Sequence, residues 1–307
     1  MSFPSNLTHH RDTYPAISPT QPALSQAGKT VLITGGAQGL GFEIARSFAK
    51  ASASRIIILS RKRPALDAAI QKLRDEFQSP DTSFISQVGD MADDVSITAL
   101  WDYLHSQKIF VHVLVLNAAT LFPLVPDTLS IDKKEFMEAF DINVGGNFLM
   151  TAKFVKQPLR PVGQQLKLVN VSTAAIQRYP AMTQTPYTSS KAAFTTVLGR
   201  IAYERSVEDV QIISYHPGLL YTEGAQNYFA GQKLPKWDEM ALPADFSVWA
   251  ASPEASWLHG RFVWAHWDVD ELKADKNFAN RLQEEPGFLK VAIQGLGGVS
   301  IKPYYEE

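Results

Sequence analysis

The chain has 307 residues, 45% of them hydrophobic and 20% charged, and its 29 Lys plus Arg nearly balance 31 Asp plus Glu. That size supports a full hydrophobic core, while a formal charge of −2 provides no basic field for nucleic acid or an anionic membrane. Cysteine is absent, which excludes a disulfide framework, thiolate catalysis and sulfur-ligated zinc; no metal site is expected, and small molecules are the natural partners.

Residues 1–27 are polar and rich in Pro, Ser and Thr, and read as an N-terminal tail, disordered or lying along the surface through Leu7, Tyr14 and Ile17. They lack the apolar core of a secretory signal, and no run reaches the ~18 apolar residues of a membrane span. The cytoplasm is the default location, and no membrane contact is expected.

From residue 30 onward, short apolar runs alternate with longer segments of helical period. The runs are TVLI (30–33), RIIIL (55–59), SFISQV (83–88), VHVLVL (111–116), KLVNV (167–171), VQIISY (210–215) and RFVWA (261–265). Strands of this kind, buried on both faces, suit a parallel sheet wrapped by helices, an α/β doubly wound architecture of the Rossmann type. A single domain over 28–268 with a C-terminal extension over 269–307 is expected.

The first strand turns at Gly35, Gly39 and Gly41 into a helix whose apolar stripe is Leu40, Ile44 and Phe48. Glycines there let the backbone turn tightly and a phosphate approach the free N–H groups and positive end of the helix. The second strand ends in Ser60-Arg61, with Ser60 19 residues beyond Gly41, where a carboxylate would bind the ribose 2′-hydroxyl of NAD. A neutral Ser followed by a guanidinium suits a 2′-phosphate instead, so NADP(H) is expected.

The spacing Thr34-Gly35-x-x-x-Gly39-x-Gly41 resembles the short-chain dehydrogenase/reductase family, and further motifs in order from Lys29 to Asp268 agree. The resemblance implies that Thr34, Leu40 and the glycines line the cofactor and that Asp90, in Gly89-Asp90-Met91, bonds the adenine ring. It matches Asn117-Ala118-Ala119-Thr120 to the family's Asn-Asn-Ala-Gly turn, with departures at Ala118 and Thr120. Asn143 resembles the helix Asn that holds a relay water. Pro217, Leu220 and Thr222 match the Pro-Gly turn that meets the nicotinamide carboxamide and pyrophosphate.

Tyr187 and Lys191 stand four apart at the start of a segment with the helical stripe Phe194, Val197, Leu198, Ile201 and Ala202, so they share one helix face. A nearby ammonium is expected to lower the phenol's pKa, so that Tyr187 can exchange a proton with a substrate oxygen while Lys191 also binds cofactor. The resemblance also implies a hydroxyl at the end of the fifth strand. Alignment favours Thr173, fourteen residues before Tyr187, with Ser172 as the alternative.

The resemblance implies reversible hydride transfer between NADP(H) and a carbonyl or alcohol, and a homo-oligomer is expected. Two alternatives stand beside it: an NADP(H)-binding protein without turnover, and a redox-neutral epimerase or dehydratase. Residues 223–243 are expected to form a substrate lid. Its Tyr228, Phe229, Leu234, Trp237 and Met240 bind a hydrophobic or ring-bearing ketone or form the lid's own core. Trp257, Trp264, Trp267 and the extension give a weaker resemblance to fungal secondary-metabolism reductases, and the extension is expected to pack on the sheet edge or a neighbouring subunit.

Overall fold

The computed structural model describes residues 7–120, 127–177, 184–222 and 236–293. Seven strands form one parallel sheet: β1 (Thr30–Thr34), β2 (Arg55–Ser60), β3 (Ser83–Val88), β4 (Val113–Leu116), β5 (Leu166–Val171), β6 (Val210–His216) and β7 (Arg261–Trp264). Their order is β3-β2-β1-β4-β5-β6-β7, and every neighbouring pair is parallel.

Strand alternation divides the core into two layers, because successive side chains leave opposite faces. Val31 and Ile33, Val113 and Val115, and Val169 and Val171 enter one layer; Leu32, Leu114 and Leu168 enter the other. The first layer is covered by α1 (Gly39–Lys50), α2 (Arg63–Glu76) and α7 (Ala241–Ala250). The second is covered by α3 (Asp94–Ser106), α5 (Asn147–Val155) and α6 (Thr185–Glu204). A further helix, α4 (Lys133–Phe140), continues through a π-helical turn (Asp141–Gly146) into α5. The expectation of strands buried on both faces holds for the central five. It fails for β3, which lies at the sheet edge and buries only Phe84.

Residues 7–27 pack as an arm, burying Tyr14, Ile17 and Leu24 in the first core layer. The Tyr14 hydroxyl donates to Trp267 O and accepts from Val269 N–H, and His9 pairs with Trp267 in an antiparallel bridge. The described part of the extension packs on the β7 edge. Helices α8 (Val269–Ala274) and α9 (Lys276–Glu284) insert Leu272 and Phe278 into the core, and Phe262 N–H donates to Leu289 O. The tail GLGGVSIKPYYEE lies outside the described residues. Among the described residues, no helix is long and apolar enough to cross a membrane.

Candidate active site

The strand order reverses between β1 and β4, and the crevice at the carboxyl ends of such strands is where doubly wound sheets take ligands. The glycine turn borders this crevice. Gly35 and Gly39 adopt φ of +68° and +54°, a region costly for residues with a Cβ. Gly41 lies so close to the turn that a Cβ on it would be 2.2 Å from Gly35 O. The N-cap residue of α1, Gln38, makes no side-chain capping bond, and Gln38 and Gly39 are exposed, so the positive helix end faces outward. Leu40 is buried in the first turn.

Asn117 ties the turn to β4. Its Nδ2 donates to Thr34 O at 3.0 Å and Gly35 O at 3.3 Å. The buried Thr34 hydroxyl accepts from the N–H groups of Asn117 and Ala118, both at 3.0 Å. These two side chains hold the crevice in shape through their own contacts.

Ser60 ends β2 half-buried, and Arg61 is exposed with no acidic partner among the described residues. Asp90 is half-buried after β3, where its Oδ1 accepts from Ala92 N–H at 2.9 Å.

On the same sheet edge, β5 ends at Val171 and the chain bends. Ser172 points into the protein, its hydroxyl 2.8 Å from that of Thr195 on α6. Thr173 instead caps a 3-10 turn (Ala174–Ile176), accepting from Ala175 N–H at 3.2 Å, and its hydroxyl stands near enough to the Tyr187 phenol to pull the phenol's pKa down. One turn further along α6, buried Lys191 donates from Nζ to Val171 O at 2.8 Å. Asn143, buried in the π-helical turn, accepts from Thr120 N–H at 3.1 Å and donates to Ser190 Oγ at 3.0 Å; Ser190 in turn donates to Tyr187 O. Thus Thr173, Tyr187, Lys191 and Asn143 are brought together, and Ser172 is turned away from the phenol.

Beyond β6, Pro217 is half-buried, Leu220 is buried and Thr222 is half-buried. His216 packs edge-on against Trp264. Of the expected lid, Tyr228, Phe229 and Leu234 lie outside the described residues. Trp237 meets Tyr221 edge-on at 5.4 Å, and Met240 packs against the first core layer.

The family model for short chain dehydrogenases matches residues 29–233. The chain belongs to the short-chain dehydrogenase/reductase family. It is 38% identical over 289 residues to the short chain dehydrogenase/reductase nsrO of Aspergillus novofumigatus, covering 93% of this chain and 95% of that one. A short chain dehydrogenase/reductase of Claviceps purpurea is 35% identical over 288 residues, covering 93% of each. Among solved structures, the L-sorbose reductase of Gluconobacter frateurii complexed with NADPH and L-sorbose superposes with a TM-score of 0.69 at 19% identity, over 79% of this chain and 96% of that one. The Pseudomonas aeruginosa RhlG/NADP complex gives 0.70 at 18%, over 84% and 99%. At these identities the superpositions speak for the fold.

Electrostatics in this short-chain dehydrogenase/reductase correct one expectation. Burial pushes the Tyr187 phenol up to about 12, although the Thr173 hydrogen bond pulls the other way. Burial also brings Lys191 down to about 8. Desolvation therefore outweighs the lowering expected from a neighbouring ammonium. At neutral pH the phenol keeps its proton.

Ser190, Thr195 and Asn147 were not marked by the motifs. Asn147 Nδ2 donates to Asn143 O at 3.1 Å. Their only sequence signal is helical spacing from residues already singled out: Ser190 is three beyond Tyr187, Thr195 four beyond Lys191 and Asn147 four beyond Asn143.

Proposed function

We propose that the protein is an NADPH-dependent reductase that transfers hydride between the nicotinamide and a carbonyl or alcohol substrate, with Tyr187 as general acid and base. The observation that carries this reading is the convergence of Thr173, Tyr187 and Lys191 at the carboxyl end of β5, where Lys191, one helical turn beyond Tyr187, donates to Val171 O at 2.8 Å. A phenol protonated at neutral pH suits the acid of a carbonyl reduction.

The residues present fit the cofactor. The exposed, uncapped start of α1 with Gly35 and Gly39 suits a pyrophosphate, and Ser60 with Arg61 suits a 2′-phosphate. Two relatives in fold that are complexed with NADP and NADPH favour the same choice. Bound NADPH would supply the hydride. Tyr187 gives its proton to the carbonyl oxygen as charge develops there. Thr173, whose oxygen already accepts from Ala175, directs its own proton to that oxygen. Lys191 holds the nicotinamide ribose, and Asn143 holds the water that carries protons between Lys191 and solvent. Asp90 bonds the adenine, and the Pro217–Thr222 segment receives the carboxamide and pyrophosphate.

The substrate class that fits is a hydrophobic or ring-bearing ketone, received over the aromatic pair Tyr221 and Trp237. Residues 28–268 make the catalytic unit of a cytoplasmic homo-oligomer. Its similarity to Aspergillus and Claviceps relatives supports a place in fungal secondary metabolism.

Absorbance at the NADPH band over a panel of such ketones tests the reading. The unmodified protein should oxidise NADPH with at least one of them, and Tyr187→Phe should retain cofactor affinity while losing ~10² to 10⁴ in turnover. NADPH bound without oxidation across the panel points to a non-catalytic protein, and undiminished reduction by Tyr187→Phe removes its assigned role.

A further inference from the structure

Asp238 lies 28 residues ahead of His266 and 227 beyond Arg11, yet all three converge on the turn that follows β6. The buried Asp238 carboxylate accepts from Leu219 N–H at 2.8 Å through Oδ2, and His266 Nε2 donates to the same oxygen at 2.9 Å. Arg11 Nη1 stands 3.6 Å from the other oxygen. Asp238 N–H in turn donates to Leu219 O at 2.9 Å, and Leu220 pairs with Asp238 in a parallel bridge. Both main-chain polar groups of Leu219 are thus held by one residue. The fit is tight, since a Cβ on Gly218 would be 2.7 Å from Asp238 Oδ2.

The N-terminal arm closes this clasp from outside. His10 N–H donates to His266 O, His9 stacks on the His266 ring at 4.5 Å, and Glu239 N–H donates to Arg11 O. Arg11 Nη1 also donates to Lys236 O at 2.7 Å. A loop needing only an anchor could be held by apolar packing, which avoids the desolvation cost of a buried carboxylate. A carboxylate that bonds a specific N–H fixes the backbone position itself.

We infer that Asp238, held by His266 and Arg11, is a positioning residue for the Pro217–Leu220 turn, and that through it the N-terminal arm governs how the nicotinamide end of the cofactor sits. This rests on the proposed function, which puts that end of NADPH against the turn. In that reading the adenine end lies with Arg61 and Asp90, just beyond β2 and β3, and is outside the clasp's influence.

The two ends are separated by titrating the full chain with NADPH and with adenosine 2′,5′-bisphosphate, which lacks the nicotinamide half, and by measuring kcat. For Asp238→Ala we expect NADPH affinity and kcat each to fall at least tenfold, with bisphosphate affinity unchanged within about twofold. Asp238→Asn keeps an acceptor for Leu219 N–H and should restore kcat to within about threefold. Arg11→Ala changes an exposed side chain and should give a smaller loss of the same kind, about threefold, and it carries the test where Asp238→Ala does not fold. Unchanged NADPH affinity and kcat in these variants overturn the inference, as does an equal loss for both probes. A wild-type chain that binds neither probe instead overturns the proposed function, and this inference with it.

Discussion

The Thr173 hydroxyl accepts from Ala175 N–H at 3.2 Å and pulls down the pKa of the Tyr187 phenol near it. The adjacent Ser172 is turned to Thr195, 2.8 Å away in the interior. Two neighbouring hydroxyls therefore have separate work, one at the phenol and one in the packing between β5 and α6.

Thr173→Ala is accordingly expected to lower turnover by ~10² to 10³, the scale for losing one preorganised donor, and to cost about 1 kcal/mol of stability for the lost cap on Ala175 N–H. Ser172→Ala should leave most of the turnover and instead cost ~1 to 3 kcal/mol of stability, because it strands the buried Thr195 hydroxyl. Steady-state kinetics and urea unfolding of the two variants check this. A reversal of the two phenotypes would give the role to Ser172.

Lys191 makes a prediction about stability against pH. Its folded pKa of about 8 lies below the ordinary 10.5, so between these values the unfolded chain binds more protons than the folded one. Stability must then rise with pH across that window, as the cost of burying an ammonium is relieved. The full contribution is roughly 3 kcal/mol for a shift of this size. Buried Lys167, also brought down to about 8, adds a similar trend. Urea unfolding of wild type and Lys191→Met at pH 7.5 and 10 isolates the Lys191 part: the wild type should gain on the variant as pH rises. A constant difference between the two would remove the burial account.

What could be read from the sequence was what local pattern carries. TVLI or RIIIL announces a buried strand by composition alone, and the glycine turn follows from its place between β1 and α1. Tyr187 and Lys191 share a face because helical spacing requires it. The direction of the Thr173 side chain was less accessible, since it depends on the bend after Val171 and the 3-10 turn beyond it. The arm carried still weaker signals: Tyr14, Ile17 and Leu24 are buried by long-range packing and have no repeating period. Asp238 and His266 had none, for their meeting is set by the return of β7 beside β6. The phenol's raised pKa was missed because desolvation is a property of the assembled site.

Cofactor choice should follow from Arg61. Its exposed guanidinium, with no acidic partner among the described residues, is available to a 2′-phosphate, and Ser60 beside it brings no repulsion. Arg61→Ala is expected to weaken NADPH binding by ~1.5 to 3 kcal/mol, the worth of a charge-assisted hydrogen bond, while NADH binding hardly moves. Equal affinity of the unmodified protein for the two cofactors, measured by fluorescence titration, would sink the NADP(H) assignment.

The glycine turn allows two substitutions of the same size to be set against each other. At Gly39 a Cβ would meet no atom within 4 Å, so Gly39→Ala pays only for a left-handed backbone, φ +54°, about 1 to 2 kcal/mol. At Gly41 a Cβ would lie 2.2 Å from Gly35 O and 2.6 Å from Asn117 Nδ2, both parts of the crevice wall. Gly41→Ala must push the turn and α1 apart, a backbone shift that costs ~1 to 3 kcal/mol or more. It should also displace Gly35 from Asn117. Thermal unfolding should therefore rank Gly41→Ala below Gly39→Ala in stability. NADPH titration of whichever proteins fold should show Gly39→Ala weakened, because its methyl group projects into the open space that a pyrophosphate would fill. Full NADPH affinity in a folded Gly39→Ala protein would mean that the pyrophosphate is held elsewhere than at the start of α1.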